Sequence, residues 1–160
     1  MQLIEIFQPG NIGASARALK NMGFRNLELV NPVHYLTDED RFMACNAIDL
    51  LEQAAIYPTL KKAVTGKSLV IGTTRRLGRR RGVILPLKKS IKRIMTVAKR
   101  NNIAILFGRK DKGLKNKEIE EYGFLITIST DSLSPSLNLA QSVLLVTYEL
   151  SQKFYSGTSL

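Results

Sequence analysis

Cysteine is nearly absent. Cys45 stands alone in 160 residues, so no intrachain disulfide can form, and a reducing compartment is the natural reading. Histidine is equally scarce. His34 and Cys45, each the only residue of its type, have no partners for a metal site, and one histidine leaves no Ser-His-Asp or Cys-His arrangement in view. Both read as structural or surface residues, and no metal is expected. Long apolar runs are missing too. The longest candidate, Ser142 to Leu150, is far too short to cross a bilayer, and the first residues show no cationic, apolar, small-residue leader. A cytoplasmic protein with no membrane attachment is expected. Nucleotide fingerprints fail as well. G-x-G-x-x-G is absent. Thr65-Gly66-Lys67-Ser68 imitates the end of a P-loop, but Lys61 occupies the place that needs glycine, and the tetrapeptide precedes a strand pattern instead of following one.

Acidic residues are missing from one long stretch. Between Gln53 and Lys110 there is no Asp or Glu, while sixteen of the 24 basic residues fall there. The net charge is +11. A solvated surface normally mixes both signs. The imbalance reads as the footprint of a polyanion, RNA or DNA. A lipid surface is the weaker rival, because no strongly amphipathic terminal helix accompanies the charge.

What is present is an ordinary globular composition, 44% apolar and 23% charged, and a length that fits one domain, residues 1–160. Residues 2–7 alternate as a strand. Asn11 can cap a helix running to about Met22, which Gly23 ends. Leu27 to Val30 is a short strand. Thr37 and Asp40 form a capping box with Asp in the Glu place, and helical pattern follows to about Ala55. The acidic cluster Asp38, Glu39 and Asp40 is explained by the helix dipole. Residues 59–64 are a short helix, 68–72 a strand, and 73–86 a loop rich in Gly and Arg. Leu87, Ile91, Ile94, Met95 and Ala98 share one helical stripe, with Lys88, Lys89, Lys92, Arg93, Lys99 and Arg100 off it. A strand at 103–107, a helix at 114–122, a strand at 125–129 and a last helix from about Ser136 to Phe154 complete the pattern. Strands alternating with helices predict an α/β fold with a mostly parallel, helix-covered sheet.

In such sheets ligands bind outside the carboxyl ends of the strands. Three loops qualify: Gly72-Thr73-Thr74-Arg75, Gly108-Arg109-Lys110-Asp111, and 132–138. In the last, Ser136 alone can supply the helix cap, which leaves Asn138 a surplus amide in need of a partner, a ligand among the candidates. The stretch "NIGASARALK" sets Arg17 among small side chains. Gly13 and Ala14 lie one turn before it on the same face, so nothing bulky shields the guanidinium, and a phosphate or ribose can approach its planar fork. The same pattern suits a solvated surface arginine.

"NIGASARALKNMGF", "LFGRKDKGLKNKEI" and "SLNLAQSVLLVTYEL", in this order and spacing, resemble the three motifs of the SpoU/TrmH RNA 2′-O-methyltransferases of the SPOUT superfamily. "LVNP", "LVIGTTRR" and the long closing helix are similar too, and "PGNIGASARALKNMGF" with "VIGTTRR" looks most like the TrmJ branch, which methylates the tRNA anticodon loop. The resemblance implies a deep trefoil knot near the C-terminus that holds S-adenosylmethionine, mainly through backbone groups. It places Thr73, Thr74, Arg75, Gly108, Ile128, Ser136, Leu137 and Asn138 in that pocket. It makes Arg17 the catalytic arginine with Asn11 near it, and a homodimer the working unit, with the site near the interface. Arg76, Arg79, Arg80 and Arg81, beside the pocket with Arg75, are then expected to track the RNA backbone. Some TrmJ relatives carry a C-terminal extension that helps bind tRNA; here the grip is expected from the basic middle. The chain departs from the second motif at Lys110, where the family carries Glu; Asp111 is adjacent but out of register. Two alternatives stay open: a methyltransferase for ribosomal RNA, and a non-catalytic RNA-binding member of the fold.

Overall fold

The computed structural model describes residues 2–4, 10–75, 82–108 and 123–155. The elements run β1 (Gln2–Ile4), α1 (Asn11–Asn21), β2 (Glu28–Val30), α2 (Asp38–Ala44), α3 (Ile48–Glu52), β3 (Ala55–Tyr57), α4 (Leu60–Val64), β4 (Leu69–Thr73), β5 (Ile84–Pro86), α5 (Leu87–Ala98), β6 (Ile103–Phe107), β7 (Phe124–Thr127) and α6 (Leu139–Tyr155), with a 3-10 turn, Cys45–Ala47, between α2 and α3. The seven strands form one sheet in the order β3-β2-β1-β6-β4-β7-β5. Every pairing is parallel, as the alternation of strand and helix patterns requires.

Successive side chains of the central strands point to opposite faces, and the core divides accordingly. Ile71, Ile105, Phe107, Phe124 and Ile126 enter the larger cluster, which α1, α5 and α6 cover with Ile12, Ala16, Leu19, Ile91, Ile94, Val143 and Val146. Val70, Ala104, Leu106 and Leu125 face the other side, where Ala63 of α4 joins them. α5 keeps the expected stripe: Leu87, Ile91 and Ile94 are buried, while Lys88, Lys89, Lys92, Arg93, Lys99 and Arg100 are all exposed.

Four expectations change. The helical pattern from Thr37 to Ala55 is not one helix. Cys45 has φ 50°, a left-handed conformation that ends α2 after a single capped segment, and residues 55–57 turn out to be strand β3. The Gly/Arg-rich loop is interrupted by strand β5, which pairs with β7 from Ile84↔Leu125 to Pro86↔Thr127. Pro86 is tolerated because β5 is an edge strand. Asn11 does not cap α1; Gly10 occupies that position, with φ 79° and no side chain to offer. The last helix starts at Leu139 instead of Ser136. The helix expected at 114–122 lies outside the described residues.

Candidate active site

β6, β4 and β7 are neighbours in the sheet and run in the same direction. Their carboxyl ends therefore share one edge, and the three loops singled out by sequence leave from that edge side by side. The joint is stitched by backbone and side chain. The Thr73 hydroxyl donates to the Leu106 carbonyl across the β4–β6 pair at 2.9 Å. The Thr74 amide donates to the Ile126 carbonyl of β7 at 2.9 Å, one residue beyond the ladder. Thr73, Thr74, Gly108 and Ile128 are half-buried at this edge, and Arg75 is exposed. Ser136 is exposed and Leu137 half-buried in the approach to α6. Arg76, Arg79, Arg80, Arg81, Lys110 and Asp111 lie outside the described residues.

Asn138 is not surplus. It is the cap of α6, where Ser136 was expected. Its Oδ1 accepts from the Ala140 amide at 2.8 Å, and its own amide donates to Gln141 Oε1 at 2.9 Å. This is a reciprocal box built from Asn and Gln. With Oδ1 so engaged, Nδ2 must face the other way, and it donates to Asn11 Oδ1 at 3.2 Å. Residues 127 positions apart are thus joined, the first residue of α1 to the cap of α6. Sequence reading had proposed each for a site; the structure shows them touching.

The two roles of Asn138 separate by substitution. Asn138→Ala removes the cap, about 1 kcal/mol, and the tie to Asn11, a further ~1 kcal/mol, so the melting temperature falls by about 4–8 °C. Asn138→Asp keeps the cap but sets a carboxylate against Asn11 Oδ1. It restores about half of the lost stability, the share of the cap, while the tie to Asn11 stays broken. Thermal melts and calorimetry read the two effects.

The start of α1 is capped from outside. Asp40 is fully buried at 0% exposure. Its Oδ1 accepts from the amides of Gly10 at 3.0 Å and Gly13 at 3.3 Å. Its Oδ2 accepts from the Thr37 amide at 3.2 Å and the Thr37 hydroxyl at 2.9 Å. The Thr37 hydroxyl in turn accepts from the Asp40 amide, which is the expected capping box. One carboxylate therefore closes the N-termini of two helices, where the positive end of each dipole favours it. The dipole of α2 alone explains only half of its contacts.

This packing revises the reading of the small residues. A Cβ on Gly13 would lie 1.9 Å from the Asp40 carbonyl oxygen. Gly13, Ser15, Ala16 and Ala18 are buried in a helix packed against both α2 and α6. Their smallness admits neighbouring helices, not a ligand. A glycine inside a helical pattern is the signal that could have located this close approach.

Arg17 nevertheless stays exposed. Among the described residues it enters no ion pair; the salt bridges join Lys20 to Asp49, Arg41 to Glu52 and Lys67 to Glu28. Its Nη1 donates to Cys45 Sγ at 3.3 Å, while Sγ is within 3.3 Å of the Phe42 carbonyl. Next to it, Lys20 Nζ donates to the Asn46 carbonyl at 2.7 Å and to Asp49 Oδ1 at 2.6 Å, a hydrogen bond that holds the Asp49 carboxyl below its ordinary pKa. The backward turn at Cys45 thus fastens the outer side of α1 next to Arg17, six residues or about 9 Å along the helix from Asn11. Sequence reading missed both Asp40 and Cys45 here, because their partners lie on another helix.

No group of three or more metal-binding side chains occurs among the described residues. Among the same residues no helix is long and apolar enough to cross a membrane.

Comparison with known proteins gives a consistent picture. The tRNA (cytidine/uridine-2′-O-)-methyltransferase TrmJ of Photorhabdus laumondii is 36% identical over 148 residues, covering 92% of this chain and 61% of that protein. The chain therefore spans about three fifths of the length of such curated relatives. A probable methylase family protein from Haemophilus influenzae superposes with a TM-score of 0.90 at 35% identity, over 97% of this chain and 65% of the other. TrmJ from Z. mobilis gives 0.86 at 31% identity, over 94% and 67%. The model of the SpoU rRNA Methylase family matches residues 1–148, and with the parallel sheet and the joined α1 and α6 termini in place, the chain belongs to that family.

Proposed function

We propose that this chain is an S-adenosylmethionine-dependent ribose 2′-O-methyltransferase acting on tRNA, in the manner of the TrmJ relatives it resembles. The carrying observation is the Asn138–Asn11 hydrogen bond, which sets the three-loop edge against the helix that bears Arg17.

The donor set at that edge fits the cofactor. Thr73 and Asn138 spend their side chains on internal hydrogen bonds, and Gly108 has none to offer. The Thr74 amide is likewise committed to Ile126, so the backbone of Gly108, Ile128, Ser136 and Leu137 is what lies at this edge, which suits a ligand held by amides and carbonyls. Arg75 adds an exposed cation. When bound, S-adenosylmethionine supplies a methyl group already activated by the positive sulfur.

The protein's task is then positioning and a more nucleophilic ribose oxygen. Arg17 stays protonated at any ordinary pH, so it is not a free-standing base. Its exposed guanidinium, bound to the Cys45 sulfur and to no carboxylate among the described residues, keeps its charge for the RNA. It holds the phosphate beside the target ribose and stabilises negative charge developing on the 2′-oxygen. The proton leaves to phosphate or water. Asn11 holds the start of α1 to the cofactor edge. Arg76, Arg79, Arg80 and Arg81 track the RNA backbone.

Two further features belong to the reading. β7 sits between β4 and β5, consecutive strands of the chain, which supports a trefoil knot formed by passage of the later chain through the loop between them. Leu144, Leu145 and Tyr148 stand 38–47% exposed on α6, an apolar face suited to a second copy of the chain and so to a homodimer.

Calorimetry and mass spectrometry test the proposal. S-adenosylmethionine should bind with measurable heat, and total RNA from cells lacking the protein should lose one ribose methylation in tRNA. A chain that gives no heat with the cofactor is a non-catalytic RNA-binding member of the fold. A loss that maps to ribosomal RNA replaces the substrate.

A further inference from the structure

We infer that the outer face of α5 is a second RNA-contact surface, a phosphate track that starts at the edge bearing the site and leads away from it. The inference rests on the tRNA methyltransferase reading and extends it to how the body of the RNA is held.

The placement follows from the sheet. β5 is parallel to β7 and ends at Pro86, opposite Thr127. Its carboxyl end therefore lies on the same edge as the loops after β4, β6 and β7. α5 begins at the next residue, Leu87, so Lys88 and Lys89 stand at that edge. The helix then runs back along the sheet, and Lys99 and Arg100 follow its last turn. From Lys88 to Lys99 the rise is about 16 Å.

The chemistry is one-sided. Lys88, Lys89, Lys92, Arg93, Lys99 and Arg100 are exposed, and none is in an ion pair among the described residues. Lys88 and Lys92, and likewise Lys89 and Arg93, are four residues apart and so are neighbours on the helix surface. Like charges at that spacing repel. The first turn carries cations and no acid, against the sense of the helix dipole. Helix stability alone favours the opposite arrangement at both points, and a polyanion laid on this face reverses both penalties. Arg93 is additionally braced, its guanidinium 4.8 Å from the centre of the buried Phe124 ring, which leaves its outer edge directed to solvent beside its neighbours. A backbone of regularly spaced phosphates is the partner that complements such a row.

The test neutralises the far end, away from the proposed catalytic and cofactor residues: Lys92→Gln, Lys99→Gln and Arg100→Gln together, with glutamine chosen for its similar helix propensity. Binding of full-length tRNA is measured by fluorescence anisotropy across a salt series. Methyl transfer is followed at saturating tRNA, and a thermal melt and cofactor titration check the fold. The expected result is a log–log salt slope shallower by about 2 to 3 and an affinity at physiological salt lower by at least about tenfold. KM for tRNA rises, kcat is unchanged and cofactor binding is unchanged. An unchanged slope and affinity, in a wild-type chain that does bind and methylate tRNA, overturns this surface and leaves the enzymatic reading standing. So does a variant that keeps tRNA binding but loses binding to phosphatidylserine vesicles, which assigns the face to a lipid surface. A wild-type chain that binds no tRNA overturns both readings.

Discussion

Replacing Arg17 with alanine lowers methyl transfer by about 10²–10³-fold, the cost of removing one preorganised donor from a developing oxyanion, and leaves S-adenosylmethionine affinity unchanged. The separation follows from where Arg17 sits. It is on the exposed side of α1, fastened near the Cys45 turn by a bond to sulfur, while it is Asn11 that hydrogen-bonds to the cap of α6. Among the described residues, removing the guanidinium takes away no hydrogen bond at the three-loop edge. The fold is expected to survive, because the bond lost is a single exposed one. Arg17→Lys recovers only part of the rate, since an ammonium supplies charge without the planar two-point fork that suits phosphate. Single-turnover methylation at saturating tRNA, alongside cofactor calorimetry, checks the outcome. Equal loss of cofactor binding and turnover would remove Arg17 from the RNA side of the reaction and return it to the architecture of the pocket.

Local physics was legible and long-range physics was not. β6 was read to the residue, because five apolar positions bounded by Asn102 and Gly108 leave little choice. α5 was read from its stripe, and the Thr37–Asp40 box from its spacing. β3 and β5 were missed for a common reason. Each has three residues and lies at an outer edge of the sheet, so neither the alternation nor the continuous apolar run that marks a strand has room to show. The break at Cys45 was invisible because the apolar period runs on across it; what stops the helix is a backbone turn that also meets Arg17 and, through Asn46, Lys20. The cap of α6 was assigned to the wrong residue because Ser136 and Asn138 are both good caps. Sequence gives no way to choose between them until the position of Asn11 is known. At the site itself, the residue types were legible and their wiring was not: Asn11 and Asn138 were both singled out, and nothing in the one-dimensional pattern said that they bond to each other.

Gly13→Ala carries the largest expected effect on stability. In an open helix the change would help by about 1 kcal/mol, since alanine is the better helix former. Here the three atoms nearest the new methyl carbon are all Asp40 backbone, the carbonyl oxygen at 1.9 Å, the carbonyl carbon at 2.7 Å and the Cα at 2.9 Å. No side chain can swing away, so α1 and α2 must move apart. That motion stretches the bonds from the Gly10 and Gly13 amides to Asp40 Oδ1, and a fully buried carboxylate that loses donors costs about 1–3 kcal/mol or more. Overpacking adds about 1–3 kcal/mol. The sum exceeds the propensity gain, and the net loss is about 1–5 kcal/mol, or roughly 2–20 °C in melting temperature for a domain of this size. Asp40→Asn loosens the same junction from the other side without adding bulk: its amide oxygen still accepts from Gly10 and Gly13, its nitrogen cannot accept from the Thr37 amide, and the protein should fall between wild type and Gly13→Ala. A Gly13→Ala chain that melts within about 2 °C of wild type would mean that α1 and α2 do not meet at this glycine, and the outside cap on the helix that bears Arg17 would fall with it.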